Sequence, residues 1–399
     1  MSSDTIRQLN SIRPENFAND FERFEAKEAA RGLLARLETP VEHAWALMAE
    51  QPFAIAGLIL VKDLGIWARW AALEKNGAPG ASRSLEEVLS MSNAQVEPNL
   101  ILFILEEVDV DTWKPTPFSL AMGGDIGKMV QASLDHTYLS SANLPKFLAK
   151  IGYAEPLDLD RFDNYTDTFG DPFWARCKEN PDLAPSFAAM MTALTAYKMD
   201  WTAVYDTNRL ASGADLSPGA PALFVDVAGL HGMDSMRLLA RHPSLPSGLL
   251  FVQDLPEVVD FQIQADKQAA IEGTPRLDAR ITRMPHDFYN PQPLLGARTY
   301  FFHSILHDWP DSNCVRILEN IKGAMKKGYS KLLIYDVIMP LKEATTLACA
   351  VDMYLMVLDS GIERTEAHWR EIIESVGLKV VRIDRHEGAV ESMIEVELS

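Results

Sequence analysis

From Ala222 to the end of the chain, short apolar runs alternate with segments of helical periodicity, and this alternation restricts the fold more than any other feature. The apolar runs are ALFVDVAG, GLLFVQDL, ARTYFFHSIL and KLLIYDVIMP, and the helical segments between them are SMRLLARH, EVVDFQIQADKQAAI and CVRILENIKGAM. Strands joined by helices lie parallel in one sheet, because each crossover carries the chain back to the edge where the previous strand began. The sequence therefore predicts an α/β domain with a doubly wound, mostly parallel sheet. Ligands of such sheets bind outside the carboxyl ends of the strands.

Up to about residue 210 the pattern is helical, and no strand of appreciable length competes with it. The segment FERFEAKEAARGLLARLETP predicts a helix that ends near Pro40, and residues 41–77 predict two more helices. Residues 84–108 predict two short helices, the first of which begins with a capping box formed by Ser84 and Glu87.

The order helix, turn, helix and wing is typical of a winged-helix domain. The wing would be the extended segment of residues 109–122, which contains Pro115 and Pro117. A DNA-binding protein of this type needs a basic recognition helix, and no basic helix occurs here, so we expect a dimerisation and lid module instead. We accordingly divide the chain into a helical domain of residues 1–210 and a catalytic domain of residues 211–399.

Composition and charge narrow the possible functions. The chain has 399 residues, 47% of them hydrophobic, and a net charge of −19. Nucleic-acid binding depends on clustered basic residues, so we expect no nucleic-acid partner. The longest apolar stretch, Phe53 to Val61, is short for a membrane-spanning helix of about 20 residues, and we expect no membrane partner. The cysteines have no metal-binding spacing and suit a reducing compartment, so we expect a cytoplasmic protein without a metal site.

A glycine-containing turn follows the first predicted strand. It runs from Asp226 to Gly232 and opens a helix, and the second strand ends in Asp254. An acidic residue at that position can accept hydrogen bonds from both ribose hydroxyls of a nucleoside. These two features alone are explained equally well by a plain strand-to-helix turn.

Further motifs along the chain favour a nucleoside-binding site over a plain strand-to-helix turn. They are PHDF at 285–288, GAR at 296–298, ILHDWPD at 305–311, AM at 324–325, KLLIYD at 331–336 and ERT at 363–365. In order and spacing the chain resembles the S-adenosylmethionine-dependent O-methyltransferases of plant and fungal natural-product pathways. LETP near residue 38, PTPFS at 115–119 and LPKFL near residue 144 match the fungal branch. The resemblance implies a Rossmann-like catalytic domain, a winged-helix-like dimerisation domain before it, and a homodimer.

The resemblance also assigns the proton chemistry. It implies that His307 is the general base that removes a proton from a phenol or hydroxyl group, with Asp308 and Glu363 as the carboxylates that orient its imidazole. Because a base must be neutral, activity on a phenol should rise between about pH 6 and 8. Outside this order of motifs, HDWP would be interpreted as a helix start capped by an aspartate.

For the cofactor, the resemblance implies S-adenosylmethionine bound at the carboxyl ends of the strands. Asp254 would bind the ribose, and Asp287 with Phe288 would line the adenine. The full set of predicted cofactor-binding residues is Asp226, Gly229, Leu230, Gly232, Asp254, Leu255, Asp287 and Phe288.

The cofactor turn departs from the family pattern at two positions, because Ala228 and Leu230 stand where the family has glycine. Glycine there allows positive φ and lets the cofactor lie against the backbone. Ala228 adds one methyl group, whereas Leu230 adds an isobutyl group at the contact surface. Unless that side chain points aside, we expect it to weaken cofactor binding by about 1–3 kcal/mol or to tilt the bound molecule.

Two histidines are also unusual for the family. His303 lies four residues before His307, where relatives tend to have Lys or Arg, and His136 lies in the helical half. By default His136 is a surface or capping histidine. Some fungal members of the family, however, no longer methylate and act as pericyclases or dehydratases, and a histidine at about this place serves them as a polar catalyst.

Three hypotheses therefore stay open. The retained His307, Asp308 and Glu363 favour methyl transfer to a small aromatic or polyketide-type substrate. The altered turn, with His136 and His303, favours a pericyclase or dehydratase in which S-adenosylmethionine is bound without reacting or is absent. The third hypothesis is a catalytically silent subunit that keeps the fold for assembly.

Overall fold

The computed structural model of the chain describes residues 2–76, 80–92, 105–154, 163–180, 182–217, 219–271, 273 and 276–399. The chain divides into two compact units, Met1–Asp135 with Asn180–Ala196 and His136–Glu179 with Tyr197–Ser399. The predicted division between residues 210 and 211 stays a prediction. The second short helix predicted within residues 84–108 falls mostly on residues 93–104, which lie outside the described residues.

The first unit is mainly helical. Its helices are Ser2–Ser11, Asp20–Leu37, Pro40–Trp45, Gln51–Asp63, Ile66–Asn76, Leu85–Ser90, Pro117–Ala121, Asp125–Ala132 and Ala184–Tyr197, whose last residue belongs to the second unit, with a 3-10 turn at Pro14–Asn16 and a π-helical turn at Ala46–Glu50. A second π-helical turn, Ser133–Thr137, begins in the first unit and ends in the second. The predicted capping box is present, since the Ser84 side chain accepts from the Glu87 backbone and Glu87 bonds back to Ser84. The core of this unit is built around Trp67, Trp70 and Trp113.

The predicted wing is only partly extended. Among the described residues this unit has short strands at Arg83–Ser84 (β1), Glu106–Asp109 (β2) and Thr112–Lys114 (β3), in the order β1-β3-β2. Pro117, predicted within the extended segment, instead begins the helix Pro117–Ala121, and the Thr116 side chain caps it. The prediction was wrong there because proline suits the first turn of a helix as well as it suits extended backbone.

One helical run in the first unit is strongly apolar. The run Pro40–Asp63 has 24 residues and, by length and composition alone, could cross a membrane. A core helix of a soluble protein passes the same test, so the prediction that the chain has no membrane partner stays a prediction.

The second unit contains the sheet that the sequence predicts. Its strands are Phe224–Val227 (β4), Leu250–Asp254 (β5), Ile281–Pro285 (β6), Thr299–His303 (β7), Lys331–Val337 (β8), Leu378–Asp384 (β9) and Glu391–Leu398 (β10). Its helices are Tyr138–Lys150, Asn164–Phe169, Phe173–Glu179, Trp201–Val204, Asn208–Ala211, Met233–Arg241, Pro256–Ile271, Asp311–Ala324, Thr346–Asp359 and Glu366–Ser375, with a 3-10 turn at Leu306–Asp308.

The strand order is β6-β5-β4-β7-β8-β10-β9. Strands β4 to β8 pair in parallel, and β10 runs antiparallel to β8 and β9. Consecutive residues of β4 point into different cores, Val225 into one and Phe224 into the other, so both faces of the sheet are covered. The turns after β4, β5, β6 and β7 therefore meet at one edge of the sheet.

Candidate active site

His307 lies on the 3-10 turn that follows β7, and its side chain is buried. Its Nδ1 is 2.9 Å from Glu363 Oε1 and 3.3 Å from Asp336 Oδ1, whereas its Nε2 is 3.4 Å from Asp308 Oδ1. The two acids predicted to flank the imidazole thus face different ring nitrogens. Asp336 is the acid that the sequence reasoning missed, although it is the single charged residue in the apolar run LLIYDV of strand β8.

A buried arginine holds the His307 turn in place. The guanidinium of Arg364 donates hydrogen bonds to the carbonyl oxygens of Leu306, at 2.9 Å, and Trp309, at 2.7 Å. It also bonds to Asp311 Oδ1. Because those two carbonyls bracket His307 in the chain, Arg364 fixes the position of the turn from both sides.

Gly361 allows a close approach to the same turn. A Cβ at this position would lie 2.6 Å from the His307 carbonyl oxygen, which is closer than real Cβ contacts allow. The next residue, Ile362, donates its backbone N–H to that carbonyl at 2.9 Å. The segment from Gly361 to the ERT motif at 363–365 therefore packs against the backbone of the His307 turn and fixes the position of the imidazole.

The carboxylates around His307 govern its protonation. Burial alone lowers the pKa of the imidazole, but Asp336, Glu363 and Asp308 outweigh burial and raise that pKa well above its usual value. Both carboxyl oxygens of Asp336 lack a hydrogen-bond partner among the described residues, so Asp336 acts on the imidazole mainly through its charge. Before any ligand binds, His307 is expected to be an imidazolium at neutral pH.

Asp308, on the Nε2 side, interacts with a further buried acid, Asp359. Burial raises the pKa of Asp308 to about 6, against the lowering effect of His307. Burial and the neighbouring Asp308 raise the pKa of Asp359 well above its usual value, and Asp359 Oδ1 accepts a hydrogen bond from the Gly361 N–H at 3.2 Å. Nothing in the sequence singled out Asp359, which ends the apolar helix Thr346–Asp359.

His307, Asp336 and Glu363 also have the spacing of a metal site. Each offers a ligand atom, and these atoms lie within 4.8 Å of one another. The same imidazole nitrogen already pairs with Glu363, which is the ordinary arrangement of an oriented histidine. The sequence-based expectation of no metal stays a prediction, which a chelator tests.

The turn after β4 contains the positive φ angles that glycine adopts most easily. Ala228 has φ 58°, Leu230 φ 43° and Gly232 φ 76°, so two side-chain-bearing residues adopt left-handed φ. At Gly229 a Cβ would lie 2.5 Å from the Asp226 carboxyl carbon, so the buried Asp226 carboxyl packs directly beneath the turn. Asp226 also accepts a hydrogen bond from Ser235 Oγ at 3.1 Å.

The other predicted cofactor residues follow β5 and β6. Asp254 accepts the backbone N–H of Leu230 on Oδ2, at 3.1 Å, and that of Leu255 on Oδ1, at 2.8 Å. Asp287 Oδ1 accepts the N–H of Tyr289, and the Phe288 ring lies edge-on to Trp309 with centroids 5.8 Å apart. These residues all lie at the edge of the sheet where the parallel strands end.

His303, the last residue of β7, has buried charged partners of its own, among which Glu391 also acts on Asp336 through its charge. Its Nδ1 is 2.6 Å from Asp234 Oδ2 and its Nε2 is 3.3 Å from Glu391 Oε1, and Lys198 Nζ bonds to Glu391 and to Ser304 Oγ. Burial alone would lower the pKa of His303, but the two carboxylates raise it to about 10. The partners of His303 are thus different from those of His307.

His136 is buried rather than on the surface, so the default interpretation of this residue was wrong. It lies in the π-helical turn Ser133–Thr137, and its Nδ1 is 2.7 Å from the Tyr165 hydroxyl. Arg176 donates to the same hydroxyl at 2.6 Å, and the imidazole lies edge-on to Phe173 with centroids 5.1 Å apart. The sequence could not show this, because the aromatic partners come from helices further along the chain.

Comparison with known proteins places these features in context. Residues 154–379 match the family model described as the O-methyltransferase domain. O-methyltransferase ATR12 of Stachybotrys chlorohalonatus is 35% identical over 98% of this chain and 98% of its own length. O-methyltransferase mfmE of Annulohypoxylon moriforme is 36% identical over 98% of this chain and 95% of its own. A solved structure of LepI in complex with SAH and a substrate analogue has a TM-score of 0.86 at 22% identity, covering 100% of both chains.

Proposed function

Since the chain belongs to the O-methyltransferase family, we propose that it transfers a methyl group from S-adenosylmethionine to a hydroxyl group of a phenolic, polyketide-type natural product. The observation that carries the proposal is the buried imidazole of His307, with Glu363 at 2.9 Å from Nδ1. A histidine held in this way by a carboxylate is suited to proton transfer. Fungal relatives named as O-methyltransferases over nearly the whole chain support the same activity.

The residues at the carboxyl edge of the sheet fit an adenosyl group. Both oxygens of Asp254 accept backbone N–H groups, and each keeps a lone pair that can accept a ribose hydroxyl. Gly229 and Gly232 let the turn pack closely against the Asp226 carboxyl and the Leu277 side chain where the helix Met233–Arg241 begins. Asp287 and Phe288 supply a polar edge and an aromatic face for the adenine, and LepI, a protein of the same fold, is described with SAH bound.

When bound, S-adenosylmethionine supplies an electrophilic methyl group on a positively charged sulfur. In the neutral ring, which the imidazolium gives by losing its Nε2 proton as the pH rises, Glu363 accepts the Nδ1–H of His307 and Nε2 receives the proton of the substrate hydroxyl. Asp308, 3.4 Å from Nε2, stabilises the imidazolium that results. Arg364 and Gly361 keep the ring in position while its charge changes.

Transfer of a labelled methyl group to a panel of phenols tests the proposal. We expect transfer by the natural chain and a loss of about 10²–10⁴-fold in His307→Asn, the usual contribution of a general base. His242→Asn is the matched control, because His242 bonds to Thr207 Oγ1 outside the site, and it should keep full activity. Full activity in His307→Asn would contradict the proposal.

The geometry of His136 favours a second candidate, a pericyclase or dehydratase. Arg176 donates to the Tyr165 hydroxyl, so that hydroxyl can donate to Nδ1 of His136, and the imidazole then carries its proton on Nε2. A buried N–H of this kind can hold a leaving hydroxyl group or polarise a carbonyl. In that case His136→Ala should slow turnover of a quinone-methide precursor while leaving the affinity for S-adenosylhomocysteine unchanged.

The mass of the product separates the two candidates. Methyl transfer gives a product heavier than the substrate by one CH2, because the methyl group replaces the hydroxyl hydrogen, whereas a pericyclic step conserves mass and a dehydration removes water. A chain that gives none of these products on any substrate of the panel would support the third hypothesis, a silent subunit.

A further inference from the structure

The turn between β4 and the helix Met233–Arg241 holds an unusual amount of backbone strain. Ala228 and Leu230 both have left-handed φ, 58° and 43°, within three residues. For residues with a side chain this conformation costs about 1–2 kcal/mol each. Such residues keep it only where their surroundings leave no alternative.

Arg283 of strand β6 provides such a constraint on the carbonyl side of the turn. Its guanidinium donates to the carbonyl oxygen of Leu230 at 2.7 Å and to that of His231 at 3.2 Å. The side chain is 6% exposed, and its Nε donates to Asp266 Oδ2 at 2.6 Å. Asp266 lies on the helix Pro256–Ile271, so a strand and a helix together fix the guanidinium.

The N–H side of the turn is held as well. Gly229 donates its N–H to the Gln253 carbonyl at 3.1 Å, Leu230 donates to Asp254 Oδ2, and Gly232 donates to the Gly229 carbonyl at 2.7 Å. Arg283 is the one side chain seen to bond the carbonyl groups of Leu230 and His231 in the described part of the chain. Substitution of Arg283 would remove the hydrogen bonds to these two carbonyl groups, while the unfavourable φ of Leu230 would still oppose the conformation of the turn.

We propose that Arg283, oriented by Asp266, is a positioning residue that holds the Ala228–His231 turn in the left-handed conformation that receives the cofactor. It constrains residues with side chains to a conformation that glycine would adopt through its own conformational freedom. The inference rests on the proposed function for the identity of the ligand, and its first readout needs no ligand.

Amide hydrogen exchange in the free chain gives that first readout. In Arg283→Met we expect the peptide that covers the turn to exchange at least about tenfold faster, and S-adenosylhomocysteine to bind about tenfold more weakly by titration calorimetry. Arg280→Met is the matched control, because Arg280 also bonds a carboxylate, that of Asp278, and two carbonyl oxygens, away from the turn. It should change neither readout.

A double-mutant cycle tests whether Arg283 acts through the strain. Leu230→Gly accepts positive φ without cost, so in that background Arg283→Met should accelerate exchange by less than about threefold. The proposal would be overturned if Arg283→Met accelerated exchange equally in the natural background and in the Leu230→Gly background. It would also be overturned if Arg283→Met left the exchange rate of the turn unchanged.

Arg283→Lys gives a second variant in case Arg283→Met does not fold. Lysine keeps the charge but loses the fork that spans two carbonyls, so the turn should exchange faster than in the natural chain. If the turn of Arg283→Lys exchanged at the same rate as the turn of the natural chain, the proposal would be overturned. If S-adenosylhomocysteine fails to bind the natural chain, the proposed function fails, and the exchange data still decide the role of Arg283.

Discussion

At the scale of single residues, the behaviour of His307 depends on which carboxylate faces each ring nitrogen. The expectation of activity rising between about pH 6 and 8 used an ordinary imidazole pKa near 6.5. In the structure, Asp336, Glu363 and Asp308 raise that pKa well above this value. Since only the neutral ring accepts a proton, the rise in activity moves to higher pH than the sequence alone indicates.

Asp336→Asn tests this effect of charge. Removing the carboxylate 3.3 Å from Nδ1 lowers the pKa of His307, so kcat/KM should begin to rise at a lower pH than in the natural chain. The pH profile of methyl transfer is the measurement. Asp215→Asn, a change at an exposed carboxylate, should leave the profile in place, and an unmoved profile in Asp336→Asn would contradict the account.

Gly361 offers a steric test of the same site. Gly361→Ala would place a Cβ 2.6 Å from the His307 carbonyl oxygen, so the turn must shift, and activity should fall at least about tenfold. Gly323 lies at an exposed helical position where an added Cβ would meet no other atom within 4 Å. Because alanine is favoured over glycine in a helix, Gly323→Ala should stabilise the fold by about 0.5–1 kcal/mol and keep activity. Equal activity of the two variants would show that the turn tolerates displacement.

The sequence predicts the site residues that belong to local motifs, and it misses those whose roles depend on partners that are distant in the chain. Glu363 and Asp308 belong to local motifs, and the structure brings both to the imidazole. Asp336 shares its motif with buried strand residues, and its role appears only when β8 is placed beside β7. His136 and Arg283 depend on contacts between distant segments, which no local pattern encodes.

At the scale of elements, the buried charges of Lys198, His303 and Glu391 tie β7 and β10 to the segment before the helix Trp201–Val204. Lys198→Met leaves Glu391, whose side chain is 1% exposed, without its closest cation. Breaking a buried pair in this way costs about 3–5 kcal/mol, and denaturant unfolding should show a loss of that size.

A surface pair is the control for this prediction. Lys178 and Glu257 lie 3.9 Å apart with side chains 79% and 60% exposed, so Lys178→Met should change the free energy of unfolding by less than about 0.5 kcal/mol. Similar losses in Lys178→Met and Lys198→Met would show that the buried network contributes no specific stability.

The sequence predicted strands best where apolar runs are long and continuous. The four predicted runs contain β4, β5, β7 and β8, which are buried on both faces of the sheet. It missed β6 and β9, whose burial pattern mixes exposed and buried residues as expected at the sheet edges. The antiparallel strand β10 carries Glu391 and Glu395, whose charges are paired only after folding.

At the scale of the whole molecule, we expect the homodimer that the family resemblance implies. In the first unit, Trp45, Met48 and Phe53 are 55%, 66% and 66% exposed on one apolar helical run. Apolar exposure of this extent favours association. Analytical ultracentrifugation should give a dimer, and Trp45→Lys with Met48→Lys should shift it toward monomer; a natural chain that is monomeric at micromolar concentration would contradict this expectation.

The central claim is that the carboxyl edge of β4, β5 and β6 binds the adenosyl group of S-adenosylmethionine close to a proton-accepting His307. Titration calorimetry with S-adenosylmethionine and S-adenosylhomocysteine tests it most directly. We predict saturable binding of both, weaker by about ten- to a hundredfold in Asp254→Ala and unchanged in Asp260→Asn, at an exposed helical position. Folded protein that gives no binding heat with either compound at any temperature tried, and no displacement of a labelled analogue, would contradict the claim.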